Sequence, residues 1–142
     1  MDLSPDRVGG PFDVVLFLGV LYHLTDPVLA IERVASCCSD LLVLETETSL
    51  NWLPYPAARI YPGDELNNDP SNWYQYNVSA LRGLLARCGF SDTQVIHRSP
   101  LHRRIARAAV RRNAGSPFRQ LLRSSRLVMH ARRSERAASP TG

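Results

Sequence analysis

The sequence predicts an α/β domain built on a largely parallel sheet. Two near-continuous apolar runs, "FDVVLFLG" (12–19) and "LLVLETE" (41–47), flank a segment of helical periodicity within about 35 residues. Apolar runs of this kind suit strands buried on both faces, and a strand, helix, strand succession of that length is a right-handed parallel crossover. Further along, a second helical segment is followed by two more strand-like runs, so the alternation continues to the end of the chain.

Each element has a local cause. The first strand carries two Val and two Phe and ends on "GVLYH". In "DPVLAIERVAS", Asp26 caps a helix and Pro27 occupies its first position, where the missing N–H costs nothing. Val28, Ile31 and Ala35 supply its apolar stripe. After the second strand come thirty residues without clear periodicity, "TSLNWLPYPAARIYPGDELNNDPSNWYQYN", holding both tryptophans and four of the five tyrosines. Long irregular segments in compact domains serve as lids or binding loops. Asn77 then caps "VSALRGLLARC", whose buried face is Leu81, Leu84, Leu85 and Cys88, and Gly89 stops it. "DTQVIHR" (92–98) reads as a third strand, 101–124 as a basic, partly helical segment with Leu101, Ile105 and Ala108 on one side, and "SRLVMHARR" (125–133) as the last strand. Residues 134–142 read as a frayed tail.

Composition narrows the class. At 142 residues with 44% apolar side chains, the chain fits one domain with a core of its own. His23 and Asp26 interrupt the longest apolar run, which stays short of the roughly 18 residues a membrane helix needs, and the first ten residues lack the apolar stretch of a secretory signal. Cys37, Cys38 and Cys88 form an odd set without metal-binding spacing, so reduced thiols, no metal site and a cytoplasmic location are expected. Charge is divided along the chain. Residues 1–97 hold five arginines against twelve acids, whereas residues 98–142 hold twelve arginines against Glu135 alone. Such a basic end suits RNA phosphate, and the spacing at 103, 104, 107, 111 and 112 equally suits one solvated helix face.

Four words in order carry a resemblance: "GVLYHLTDP", "LVLET", "PGDELNNDPSNWY" and "SALRGLLARCGF". Together they resemble class I S-adenosylmethionine-dependent methyltransferases, in the subgroup related to tRNA wobble-uridine methyltransferases. The likeness runs from about Asp2 to Arg133. It implies a Rossmann-like sheet, incomplete, in which residues 1–133 are the carboxyl-terminal half: parallel strands plus a terminal antiparallel strand, with 98–124 an Arg-rich insertion. The Gly-rich turn and the ribose-binding acid of that family have no counterpart among the eleven residues before the first strand. S-adenosylmethionine is therefore the implied cofactor, and weak or no binding is expected of the chain alone.

Ligands in open α/β sheets bind beyond the carboxyl ends of the strands. Gly19, Val20 and Leu21 fall there and are the expected cofactor contacts, together with Asp2, which the resemblance places near the adenine. His23 is the candidate general base, with a structural histidine bonded to a carbonyl as an equal alternative. Glu45, near the end of the next strand, is a second candidate catalytic group, orienting His23 or a substrate amine, against the alternative of a rim carboxylate. Glu47 is expected to be exposed. Tyr22 and, in the long loop, Tyr61, Asp64, Asn72, Trp73 and Tyr76 are the expected substrate contacts, among neighbours Glu65, Asn67, Asn68 and Asp69 of the same polar character. "DELNND" lacks the glycine and terminal glutamate of a calcium loop. The expected activity is methyl transfer to an unidentified small-molecule or tRNA acceptor. The alternative is a non-catalytic truncated or split-gene product that binds a partner chain or RNA. With the first strands absent, residues 12–19 become an apolar edge that calls for a complementary amino-terminal chain or self-association.

Overall fold

The computed structural model describes residues 3–111 and 124–133. A short helix α1 (Pro5–Val8) precedes strand β1 (Phe12–Leu18). Helix α2 (Pro27–Ser36) carries the chain back to β2 (Cys38–Thr48), which lies parallel to β1 with Val14 opposite Leu41 and Leu18 opposite Glu45. As expected, Asp26 accepts a hydrogen bond from the Leu29 N–H at 3.0 Å and Pro27 starts the helix. Its buried stripe is Pro27, Ala30, Ile31, Val34 and Ala35; Val28, expected in that stripe, lies on its rim and is exposed.

The thirty-residue loop is less irregular than its sequence suggests. It contains two three-residue strands, β3 (Ala58–Ile60) and β4 (Tyr74–Tyr76), paired antiparallel to each other. β4 meets β2 in parallel at Thr48, whose other side already pairs with Ser125, so β4 continues on the side of β2 that β1 occupies lower down. Helix α3 (Val78–Arg87) follows, with Asn77 Oδ1 accepting from the Ala80 N–H at 2.8 Å. Gly89 ends it at φ +89°, a left-handed conformation that favours glycine, and a Cβ there would meet the Arg133 guanidinium at 2.7 Å.

β5 (Phe90–Arg98), α4 (Leu101–Arg111) and β6 (Ser125–Arg133) complete the described chain. β6 inserts antiparallel between β2 and β5. The result is α/β with a six-stranded mixed sheet in which β1, β2 and β5 run one way and β6 the other. Residues 112–123 and 134–142, including the expected tail, lie outside the described residues.

One face of the sheet holds the core. Phe17, Leu42, Leu44, Phe90, Leu127, Met129 and Ala131 pack there with α2 and with Leu81 and Leu85 of α3. The opposite face differs from the expectation of a first strand buried on both sides. Phe12, Val14, Leu16 and Leu18 of β1 are all exposed, Leu16 to 64%. The cause is topological: α2 and α3 both pack on the Phe17 side, and among the described residues β1 pairs only with β2. No helix among the described residues is long and apolar enough to cross a membrane.

Candidate functional site

The site grows from the carboxyl ends of β1 and β2. Gly19, at φ +70°, breaks β1 and feeds a 3-10 turn, Leu21–His23, closed by the His23 N–H on the Val20 carbonyl at 3.0 Å. The Trp73 N–H then donates to the Tyr22 carbonyl at 2.7 Å, fastening the long loop onto this turn. Between them opens a cleft of about 450 Å³. Tyr22 and His23 face it from the turn, Glu47 from β2, Asn67, Asp69 and Asn72 from the loop, with Ser99 and Arg126 on the far wall.

Register explains its charges. Arg126 of β6 stands directly opposite Glu47 and diagonal to Glu45 on the same face of β2, the spacing at which long cross-strand side chains meet. Its Nε lies 2.7 Å from Glu45 Oε1 and 3.9 Å from Glu47 Oε1, and its Nη2 donates to the Tyr22 hydroxyl at 3.0 Å. Burial raises the Glu45 pKa, with Glu47 pushing the same way and Arg126 opposing both. Glu45 thus has Arg126 for its partner, whereas the ring of His23 is held by another residue. His23 Nδ1 lies 2.9 Å from the Ser71 hydroxyl and 3.2 Å from the Ser71 carbonyl. Glu47, expected to be exposed, is 4% exposed. The β6 strand and the loop close over the end of β2, which a strand pattern taken alone cannot anticipate.

The other expected site residues divide. Asn72 lines the cleft, but its amide donates to the Leu66 and Asp69 carbonyls and so braces the loop. Tyr61 is 2% exposed, its hydroxyl hydrogen-bonded to Gln75 Oε1 at 2.5 Å, and burial pushes its pKa up to about 12. Tyr76, also raised to about 12 by burial, lines a separate apolar groove against Ala80, Gly83 and Leu84 of α3. Asp64 is exposed outside the cleft lining, and Trp73 is half-buried. Val20 is exposed beside the turn, while Leu21 is fully buried in the core and offers its side chain to nothing outside. Asp2 lies outside the described residues.

Arg126, Ser71 and Ser99 were not foreseen. For Arg126 a signal exists: a single arginine near the start of the apolar strand "SRLVMHA" answers the alternate acids of "LETE" if the two strands pair. Ser71 and Ser99 carry no comparable signal.

No family model matches the chain. Over 90 residues it is 31% identical to tRNA U34 carboxymethyltransferase of Aeromonas salmonicida, and equally to that of Aeromonas hydrophila. That match covers 60% of this chain and 26% of each relative, so the chain spans about a quarter of the relatives' length. Among solved structures, the N-terminal domain of EvdMO1, determined in the presence of SAH and D-fucose, superposes with a TM-score of 0.56 at 18% identity, over 90% of this chain and 50% of that one. Burkholderia thailandensis 1,6-didemethyltoxoflavin-N1-methyltransferase, with 1,6-didemethyltoxoflavin and S-adenosylhomocysteine bound, superposes with a TM-score of 0.50 at 16% identity, over 89% of this chain and 45% of that one. The Haemonchus contortus phosphoethanolamine-type N-methyltransferase 2 gives 0.51 at 12% identity, over 87% and 33%. The chain is class I S-adenosylmethionine-dependent methyltransferase-like, with distant similarity to the tRNA U34 carboxymethyltransferases.

Proposed function

We propose that this chain, as the carboxyl-terminal half of a methyltransferase domain, forms the acceptor side of an S-adenosylmethionine-dependent enzyme of the cytoplasm. An amino-terminal segment or a separate chain would complete it. The observation that carries this reading is the polar cleft lying at the strand ends beside an uncovered apolar strand. The solved neighbours, in which this chain accounts for half or less of the length, support it.

The described residues fit the cofactor on one flank only. Gly19 and the exposed Val20 leave the end of β1 open, but a Cβ on Gly19 would already lie 3.4 Å from Glu45 Oε2, and Leu21 is committed to the core. In this reading the acceptor, a small molecule or a tRNA nucleotide, enters the cleft. His23 removes its proton, and Tyr22, Asn72, Glu47 and Arg126 shape the walls.

Calorimetric titration of the isolated chain with S-adenosylmethionine should show no micromolar binding; a micromolar Kd would mean that the chain holds the cofactor unaided. In the completed enzyme, assayed by transfer of labelled methyl to tRNA and to small-molecule fractions, His23→Ala should lower turnover by roughly 10²–10⁴-fold. Cofactor affinity should be unchanged. Equal turnover would return His23 to a structural role. A second reading, a non-catalytic chain that binds RNA or a partner through its Arg-rich end, is favoured by α4, where Leu101 and Ile105 are exposed on an acid-free helix.

A further inference from the structure

We infer that Asp69 and Ser71 are positioning residues that hold the His23 imidazole in its Nδ1–H form, leaving Nε2 as the proton acceptor for an N–H or O–H group in the cleft. The inference rests on the proposed acceptor site and adds both a tautomer and a class of acceptor.

Hydrogen-bond inventory fixes the tautomer. The Ser71 hydroxyl donates its one hydrogen to Asp69 Oδ1 at 2.7 Å, and the Ser71 backbone N–H donates to the same oxygen at 2.9 Å. With its hydrogen spent on the carboxylate, the hydroxyl oxygen can only accept from His23 Nδ1 at 2.9 Å. The Ser71 carbonyl, 3.2 Å from the same nitrogen, can only accept as well. Both neighbours therefore require hydrogen on Nδ1, and a neutral ring then carries its lone pair on Nε2. The His23 ring makes no other hydrogen bond among the described residues, and it lines the cleft.

The carboxylate end of the chain is equally defined. The Ser71 hydroxyl and N–H, followed by the nearby His23, hold the Asp69 carboxyl below its usual range. Its charge therefore faces the ring through Ser71 throughout. In the proton step, the acceptor N–H or O–H bond breaks and the Nε2–H bond forms. The electron pair stays on the acceptor atom, now a nucleophile for an electrophilic methyl of the sulfonium class. The Nδ1 proton stays where it is, and Asp69 takes none. Such a device serves acceptors that must lose a proton, such as an amine, an amide-type N–H or a hydroxyl, and gives no advantage to an acceptor without one.

Magic-angle-spinning NMR of protein carrying ¹⁵N-histidine reads each ring nitrogen as protonated or bare, whatever the size of the assembly. The His23 signals are those lost in His23→Gln. Above the titration range of histidine, wild-type His23 should be almost wholly Nδ1–H. Ser71→Ala and Asp69→Ala, which frees the Ser71 hydroxyl to donate to the ring, should each divide the population between the two tautomers, and Ser71→Thr, which keeps the hydroxyl, should restore the wild-type spectrum. Asp69 and Ser71 lie at the surface of the loop, and circular dichroism of each variant checks that the fold is kept. An Nε2–H ring in the wild type would overturn the inference. So would an unchanged population in both Ser71→Ala and Asp69→Ala, which would mean that the Ser71 carbonyl alone suffices. The readout involves no methyl transfer, so a relay in an inactive protein would overturn the proposed activity and not the relay.

Discussion

Purified alone, this chain is expected to elute as a self-associated species, with a light-scattering mass at a multiple of 15.9 kDa. The cause is β1. Phe12, Val14, Leu16, Leu18 and Val20 are exposed at 44, 54, 64, 48 and 38%, and the outer edge of the strand is unpaired among the described residues. Unpaired strand edges with apolar faces invite another chain. Burying the exposed portions of these five side chains contributes on the order of 5 kcal/mol per copy, from roughly 1.5–3 kcal/mol for each full burial. Two copies joined about a two-fold axis double that, against roughly 4–15 kcal/mol for lost translational and rotational freedom. New edge hydrogen bonds add about 0.5–1.5 kcal/mol each. The balance favours association at laboratory concentrations. Leu16→Lys puts a charge at the centre of the patch on a side chain that contributes little to the fold, so folding should change by no more than about 0.5 kcal/mol. The mass should fall to that of the monomer. A wild-type chain that is monomeric and unfolds cooperatively would show that it covers its own edge, and the proposal of a complementary amino-terminal segment would go with it.

The apolar character of that edge is legible in the sequence, where "VVLFLG" carries no charge. The same holds for Asp26–Pro27, Asn77 and Gly89, where the cap or stop depends on neighbours a few residues away. The last strand, 125–133, keeps the bounds read from the sequence, with Leu127, Met129 and Ala131 on its buried face. β3 and β4 were not legible, since three residues each is too short for a period and only their mutual pairing makes them strands. The site divides along the same line. Tyr22 and His23 follow from the rule that ligands meet strand ends. Arg126 reaches Tyr22 across 104 positions and Ser71 reaches His23 across 48, and only the β2–β6 register and the Trp73 fastening bring them there. Glu47 is the clearest case. Strand alternation alone leaves it outside, and burial arrives with β6 and the loop.

The largest single loss of stability from a polar side chain is expected at Asn77. It is 1% exposed, and Oδ1 accepts from two backbone donors, Ala80 N–H at 2.8 Å and Ala57 N–H at 3.0 Å. Nδ2 donates to the Tyr55 carbonyl at 2.7 Å. One side chain thereby caps α3 and fastens the loop that leaves β2. Asn77→Ala removes the cap, worth about 0.5–2 kcal/mol, and strands at least one donor in the interior at about 1–3 kcal/mol more. A total of roughly 2–4 kcal/mol follows, a large share of the 5–15 kcal/mol of a typical domain. With a urea slope of about 1–3 kcal/mol/M, the midpoint should drop by about 1–2 M. Asn77→Ser keeps a cap acceptor for the Ala80 N–H and places no charge against the Tyr55 carbonyl, so it should be milder. The Leu16→Lys background keeps association out of both measurements. The damage should also reach the cleft. Asn51, in the same loop, accepts from the Val78 N–H at 2.9 Å and donates to Thr48 Oγ1 at 3.1 Å, next to Glu47. Loosening residues 50–57 therefore loosens the end of β2 where Glu47 faces Arg126. If Asn77→Ala unfolds at the wild-type midpoint, water has satisfied the stranded groups and the loop is held by its other contacts.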